Sequence, residues 1–121
     1  MLRIELPFPP SILSAHAKGN DNWRKIAETK RCRALAKDTT ETAGYQSDYA
    51  PPENGDIRID MAFIPPDNRG DRCNYPARMK AYIDGIAEAM CVNDKRFLPS
   101  YRFLPNAKPG CVIVTLFEEN E

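Results

Sequence analysis

The chain has 121 residues, 42% of them hydrophobic and 28% charged, and its 17 lysines and arginines are balanced by 17 aspartates and glutamates. That length suits a single domain with one core, expected over residues 1–121, and excludes two. A formal net charge of zero removes overall basicity as an argument for a nucleic-acid partner, so such a reading has to stand on local charge clusters.

Residues Arg3 to Phe8 alternate apolar and polar positions before Pro9-Pro10 stops the pattern, which predicts an amphipathic strand. His16, in the polar stretch that follows, reads as an ordinary surface histidine. A helix capped by Asp21 or Asn22 is then expected through about Thr42, with Trp23, Ile26, Ala27, Ala34 and Leu35 spaced for a buried stripe. Trp23 is expected to anchor the core. The other faces of this helix carry Arg24, Lys25, Lys30, Arg31, Arg33 and Lys37, opposed within it mainly by Glu28.

Gly44 to Gly55 has turn chemistry and no periodicity and reads as a surface loop, stiffened by Pro51-Pro52. A second strand is expected over Asp56 to Ile64, where Ile57, Ile59, Met61 and Phe63 alternate with more polar neighbours and Pro65-Pro66 ends the run. Pro76 suits a helix start, and Met79, Ile83, Ile86 and Met90 fall at helical spacing, giving a second helix over about Tyr75 to Met90. An irregular strand interrupted by Pro99 is expected within Lys95 to Leu104, and a final strand over Cys111 to Phe117 after the turn Lys108-Pro109-Gly110. The order β-α-β-α-β-β implies an α+β fold, a small mixed sheet with two helices packed on it.

The longest apolar runs, such as Met61 to Ile64, fall far short of the ~20 residues a membrane helix needs. The opening Met1-Leu2-Arg3-Ile4-Glu5 lacks the apolar core of a signal peptide, so a cytoplasmic protein without a membrane partner is expected. Cys32, Cys73, Cys91 and Cys111 form no C-x-x-C pair and are expected to be reduced and mostly buried.

Chemistry concentrates around the second helix. The loop before it reads Asp71-Arg72-Cys73-Asn74 and the segment after it Asn93-Asp94-Lys95-Arg96, so acidic elements flank it on both sides. On the helix, Lys80 and Asp84 are four apart and share a face, with Ala77, Ala87 and Cys91 near the same stripe. Carboxylates from separate elements make a hard oxygen site suited to magnesium, which binds one or two of them while keeping several waters. Such a site can hydrolyse a phosphodiester, with Lys80 orienting water or stabilising developing charge. The same residues have simpler uses. An Asp before a helix caps it, an i,i+4 Lys-Asp pair is a surface ion pair, and Asn93-Asp94 can be a turn.

Several of these pieces together resemble the RusA-type Holliday-junction resolvases of bacteria and their phages. A strand ending in Pro-Pro-Ser is similar to Leu6-Pro7-Phe8-Pro9-Pro10-Ser11, and a tryptophan with a basic helix to Asn22-Trp23-Arg24-Lys25 through Arg33. The family's Asp-x-Asp-Asn, lysine, aspartate and terminal Asp-Asp are matched in order by Asp71-Arg72-Cys73-Asn74, Lys80, Asp84 and Asn93-Asp94.

The resemblance implies a homodimeric, magnesium-dependent endonuclease that cuts four-way DNA junctions symmetrically in recombination and repair, with manganese as an alternative ion. Asp71 and Asp94 match the metal carboxylates and Lys80 the functional lysine, with Asn74 and Asp84 in support. Arg24, Lys25, Lys30, Arg31 and Arg33 are then candidates for phosphate contacts, joined by Arg69 and Arg72, with Lys95 and Arg96 adding charge near the site.

Two positions depart from the pattern, since Cys73 and Asn93 stand where the family has aspartates. A thiol is a poor magnesium ligand. Either Asp71 and Asp94, helped by Asp67 or Asp84, hold enough metal for cleavage, or the protein binds branched DNA without cutting it well. A structural dimer module with no nucleic-acid partner is the third reading.

Overall fold

Leu2, Ile4 and Leu6 are buried along β1 (Leu2–Pro7) while Arg3, Glu5 and Pro7 are exposed, the two-residue period of a strand with one face in a core. The computed structural model describes residues 1–14 and 22–121; His16 and Asp21 lie outside them. The described elements continue with α1 (Asn22–Tyr45), β2 (Ile57–Ile64), α2 (Lys80–Met90), β3 (Phe97–Phe103) and β4 (Cys111–Leu116).

The strands form one mixed sheet in the order β1-β4-β2-β3. β4 runs antiparallel to both β1 and β2, so that Ile4 and Met61 face Val114 from either side, whereas β2 and β3 are parallel. A parallel pair requires a long crossover, and α2 lies within it. Among the described residues the architecture is therefore a small α+β protein, with two helices packed on a four-strand mixed sheet, in the expected element order. The core holds Phe63, Met61, Tyr75, Met79, Tyr82 and Ile86, all nearly or fully out of water.

The two helices meet through small groups. A Cβ added to Gly85 would overlap the Arg33 carbonyl oxygen and stand 3.0 Å from Ala36 Cβ, so the hydrogen side chain is what lets α2 touch the backbone of α1. The buried positions of α1 are accordingly Cys32, Ala36 and Thr40. This corrects the expected stripe. Trp23 is 70% exposed, Ile26 is 50% exposed, Ala27 and Ala34 are exposed, and Leu35 is half-buried. At 24 residues, α1 is more than twice as long as the 11-residue α2, and its contact with α2 lies around the small side chains opposite Gly85.

The second helix is also shorter than expected. Residues Arg72–Asn74 and Pro76–Met79 form separate 3-10 turns, and the α-helix starts only at Lys80. Asp71 caps the first turn through its side chain and Pro76, which has no N–H, begins the second, so the backbone is used up in short i,i+3 units such as Arg78 N to Tyr75 O at 3.0 Å. β3 is regular despite Pro99, because it is the edge strand, where a missing ladder donor is tolerated. It is tied to β2 by Asp60, which is buried and accepts from Ser100 Oγ and Arg102 Nε at 2.9 Å each. The cysteines are more accessible than expected: Cys32 is buried and Cys111 intermediate, but Cys73 and Cys91 are exposed on turns. No described helix is long and apolar enough to cross a membrane.

Candidate functional site

Asp71 lies in extended backbone immediately before the turn Arg72–Asn74, and its Oδ1 accepts a hydrogen bond from Cys73 N at 3.0 Å. This is the capping role its position allows. Asn74 follows half-buried, its backbone N–H donating to Asp71 O at 2.9 Å, and the Cys73 thiol is exposed.

Lys80 opens α2, and its Nζ donates to Asp84 Oδ1 at 2.9 Å and to Asp94 Oδ2 at 2.6 Å. The Lys80–Asp84 contact follows from the four-residue helical spacing. The contact with Asp94 depends on how α2 ends. Cys91 adopts a left-handed conformation with φ 56° and its N–H is satisfied by the last helical turn, as is that of Val92 by Ala87 O. The chain thereby reverses and brings Asp94 back within reach of Lys80. Asn93 caps the short turn Asp94–Arg96 through Oδ1, which accepts from Lys95 N at 2.9 Å.

Electrostatics follow this geometry. The Lys80 ammonium is held above its ordinary pKa by its hydrogen bonds to Asp94 and then Asp84, and the Asp94 carboxyl is held below its ordinary value by Lys80. All three groups are solvent-accessible to different degrees. One ammonium between two carboxylates leaves the trio with a net negative charge, available to attract a further cation.

The structure thus joins Lys80, Asp84 and Asp94, while Asp71 makes its hydrogen bond within its own turn. Asp67 accepts from Arg69 N at 2.9 Å, also locally. Among the described residues, no group of three or more His, Cys, Asp or Glu side chains is placed to hold a metal ion. The donor chemistry of Asp71 and Asp94 nonetheless suits a hard cation that needs only one or two carboxylates and keeps its waters, which the Cys73 thiol does not.

Several of the basic residues make contacts that the sequence did not announce. Arg31 binds both oxygens of Glu28 at 2.9 Å. Arg33 pairs with Glu88 of α2 at 3.0 Å and Lys37 with the same carboxylate at 3.5 Å, so α1 is neutralised from α2 as well as from within. Lys25 reaches Ser14 O at 3.4 Å. Arg24, Lys30, Arg72 and Lys95 are exposed, and Arg69 lies beside Asp67 at 3.8 Å. Arg96 holds the preceding loop, donating to the carbonyls of Gly55 and Pro52 at 2.9 and 2.6 Å.

One residue outside this set is Arg78, whose Nε is buried with no hydrogen-bond partner among the described residues. Nothing in the sequence separates it from the other arginines around the second helix.

No family model matches the chain. A protein of Xylella fastidiosa (strain Temecula1 / ATCC 700964), described as uncharacterized, is 34% identical over 100 residues, which cover 81% of this chain and 63% of that protein. The chain therefore spans less than two thirds of the length of the relative it matches.

Proposed function

We propose that the chain is a RusA-type, divalent-metal-dependent endodeoxyribonuclease that acts as a homodimer on four-way DNA junctions in the cytoplasm. The observation that carries this reading is the Lys80 ammonium between Asp84 and Asp94, on the helix that directly follows the Asp71 loop. Asp71 and Asp94 would hold magnesium, or manganese, whose chemistry in such a site is to polarise a phosphoryl oxygen and lower the pKa of water. Lys80 places positive charge where a phosphodiester gains negative charge during attack. Asp84, one helical turn on, keeps the ammonium oriented when Asp94 is engaged elsewhere, and Asn74 supports the Asp71 turn. Exposed Arg24, Lys30 and Arg72, with Lys25, Arg31, Arg33 and Arg69, supply phosphate contacts that position the DNA without reading its bases. A two-fold dimer matches a junction with two strands to cut.

A second reading is favoured by the exposed Cys73 thiol and by the neutralisation of Asp94 by Lys80: a branched-DNA-binding protein with weakened metal competence. One experiment separates the two. Wild type and Asp71→Asn are compared for cleavage of a labelled four-way junction with magnesium at low salt, beside a binding assay on the same DNA. Cleavage that is lost in the variant supports the nuclease. Binding without cleavage in both proteins supports the binder, and no binding by either rejects both in favour of a structural module.

A further inference from the structure

A cleft of about 840 Å³ opens between the end of β1, the loop after β2 and the turn before β4. Five prolines stiffen its walls, Pro9, Pro10, Pro66 and Pro109 among them, and Arg69, Arg78 and Lys108 provide positive charge. Gly110, at φ 83°, presses against Pro66 so closely that a Cβ would stand 2.8 Å from the proline Cδ, which fixes the spacing of that wall.

Arg78 is the half-buried cation of this cleft, where Arg69 and Lys108 are exposed. Its guanidinium carbon sits 5.2 Å from the Tyr75 ring centroid and 6.0 Å from that of Phe8, an arrangement that orients the planar group by its faces and leaves its edge for hydrogen bonding. Along that edge the structure supplies one protein acceptor, Pro9 O at 3.4 Å from Nη1, and Nε has none. Among the described residues no carboxylate pairs with it: Asp67 in the wall is beside Arg69, and Glu5, also in the wall, is next to Cys111. A half-buried guanidinium without an anion is costly, and burial pushes its pKa down. Nε is closed off from solvent, so an oxyanion in the cleft offsets that cost by accepting from the terminal guanidinium nitrogens.

We infer that Arg78 and its cleft form a binding site for a phosphate group, supplied by the backbone of the DNA that the preceding reading requires. The placement suits that source. Asp67, Gly70 and Tyr75 line both this cleft and the smaller depression that contains Asp71 and Arg72, so a strand with one phosphate on Arg78 continues along the Asp71 loop. The inference concerns Arg78 and takes only the identity of its ligand from the nuclease reading.

The test observes the arginine directly. The Nε–H resonance of Arg78 in nitrogen-15-labelled wild-type protein, assigned by its absence in Arg78→Gln, is followed during separate titrations with inorganic phosphate and with a four-way junction. The expected result is a saturable shift with both ligands, and about tenfold weaker junction binding by Arg78→Gln, the effect of one charge-assisted hydrogen bond. A shift with phosphate alone supports the site but assigns it to a free phosphate compound; if the junction also fails to bind anywhere, the nuclease reading falls separately. A resonance that neither ligand moves overturns the inference, even where junction DNA binds elsewhere on the protein. Arg78→Lys, which keeps the charge and also lacks the Nε–H, gives the same assignment where Arg78→Gln folds poorly.

Discussion

Lys80 donates to Asp94 across fourteen residues of sequence, with Nζ 2.6 Å from Oδ2, and so connects the two ends of the α2 segment at its exposed surface. Replacement of Lys80 by Met is expected to remove junction cleavage while changing the folding free energy by less than about 1 kcal/mol, since both ion pairs are solvent-accessible. Cleavage rates with magnesium and urea midpoints on the same samples check the two halves. A large loss of stability would place Lys80 in the framework instead.

Cys73→Asp restores the oxygen donor that a hard cation prefers at an exposed turn already capped by Asp71. If the metal site lies there, cleavage should rise by on the order of tenfold, equivalent to about 1.4 kcal/mol in barrier height. Unchanged rates at every magnesium concentration would mean that position 73 does not face the cation.

Gly85→Ala is expected to destabilise the fold by about 1–3 kcal/mol, the range for forcing extra volume into a packed interior, because the new methyl meets the Arg33 carbonyl of the facing helix. Chemical denaturation measures it. A variant as stable as wild type would show that the helices separate without cost.

The Glu88 carboxyl is held below its ordinary value by Arg33, and further by Lys37. A group with a depressed folded-state pKa contributes stability above its unfolded value and loses it as pH falls through the folded one. The stability difference between wild type and Glu88→Gln should therefore be constant from neutral pH down to about the ordinary glutamate value of 4.5 and shrink below it. Thermal melts across that range give the answer, and a difference that grows on acidification contradicts the assignment.

Asp60→Ala leaves Ser100 and Arg102 of the edge strand without their shared acceptor. A cost of about 1–3 kcal/mol is expected, with faster amide exchange concentrated in β3. Uniform exchange across the sheet would indicate a general rather than a local effect.

The sheet was legible because Ile57, Ile59, Met61 and Phe63 carry a period that only a strand explains, and Pro65 and Gly110 mark its boundaries. The face of α1 was not. Its packing uses Cys32, Ala36 and Thr40, side chains with too little apolar area to outweigh Trp23 and Ile26 in a pattern read from hydrophobicity. Lys80 with Asp84 was readable from helical spacing, whereas Lys80 with Asp94 required the reversal at Cys91, a left-handed position with no glycine to announce it. The charge on α1 was over-read for a similar reason, since Glu88, which neutralises Arg33 and Lys37, comes from another helix. Arg78 escaped attention because its distinguishing property, a buried Nε with no partner among the described residues, exists only in three dimensions.

With no side chain between α2 and the α1 backbone at Gly85, α2 has no slack in which to slide or roll. Lys80 and Asp84 are thereby held in place, while Asp71 and Asp94 sit on short turns outside the helix, each closed by one Asx hydrogen bond and by i,i+3 backbone bonds. Adjustment to any ligand bound beside the helix would fall to those turns, on the nanosecond-to-microsecond timescale of loops rather than the slower one of helix displacement. The second helix is thus the rigid member of the group, and its two flanking turns are the members left to adjust.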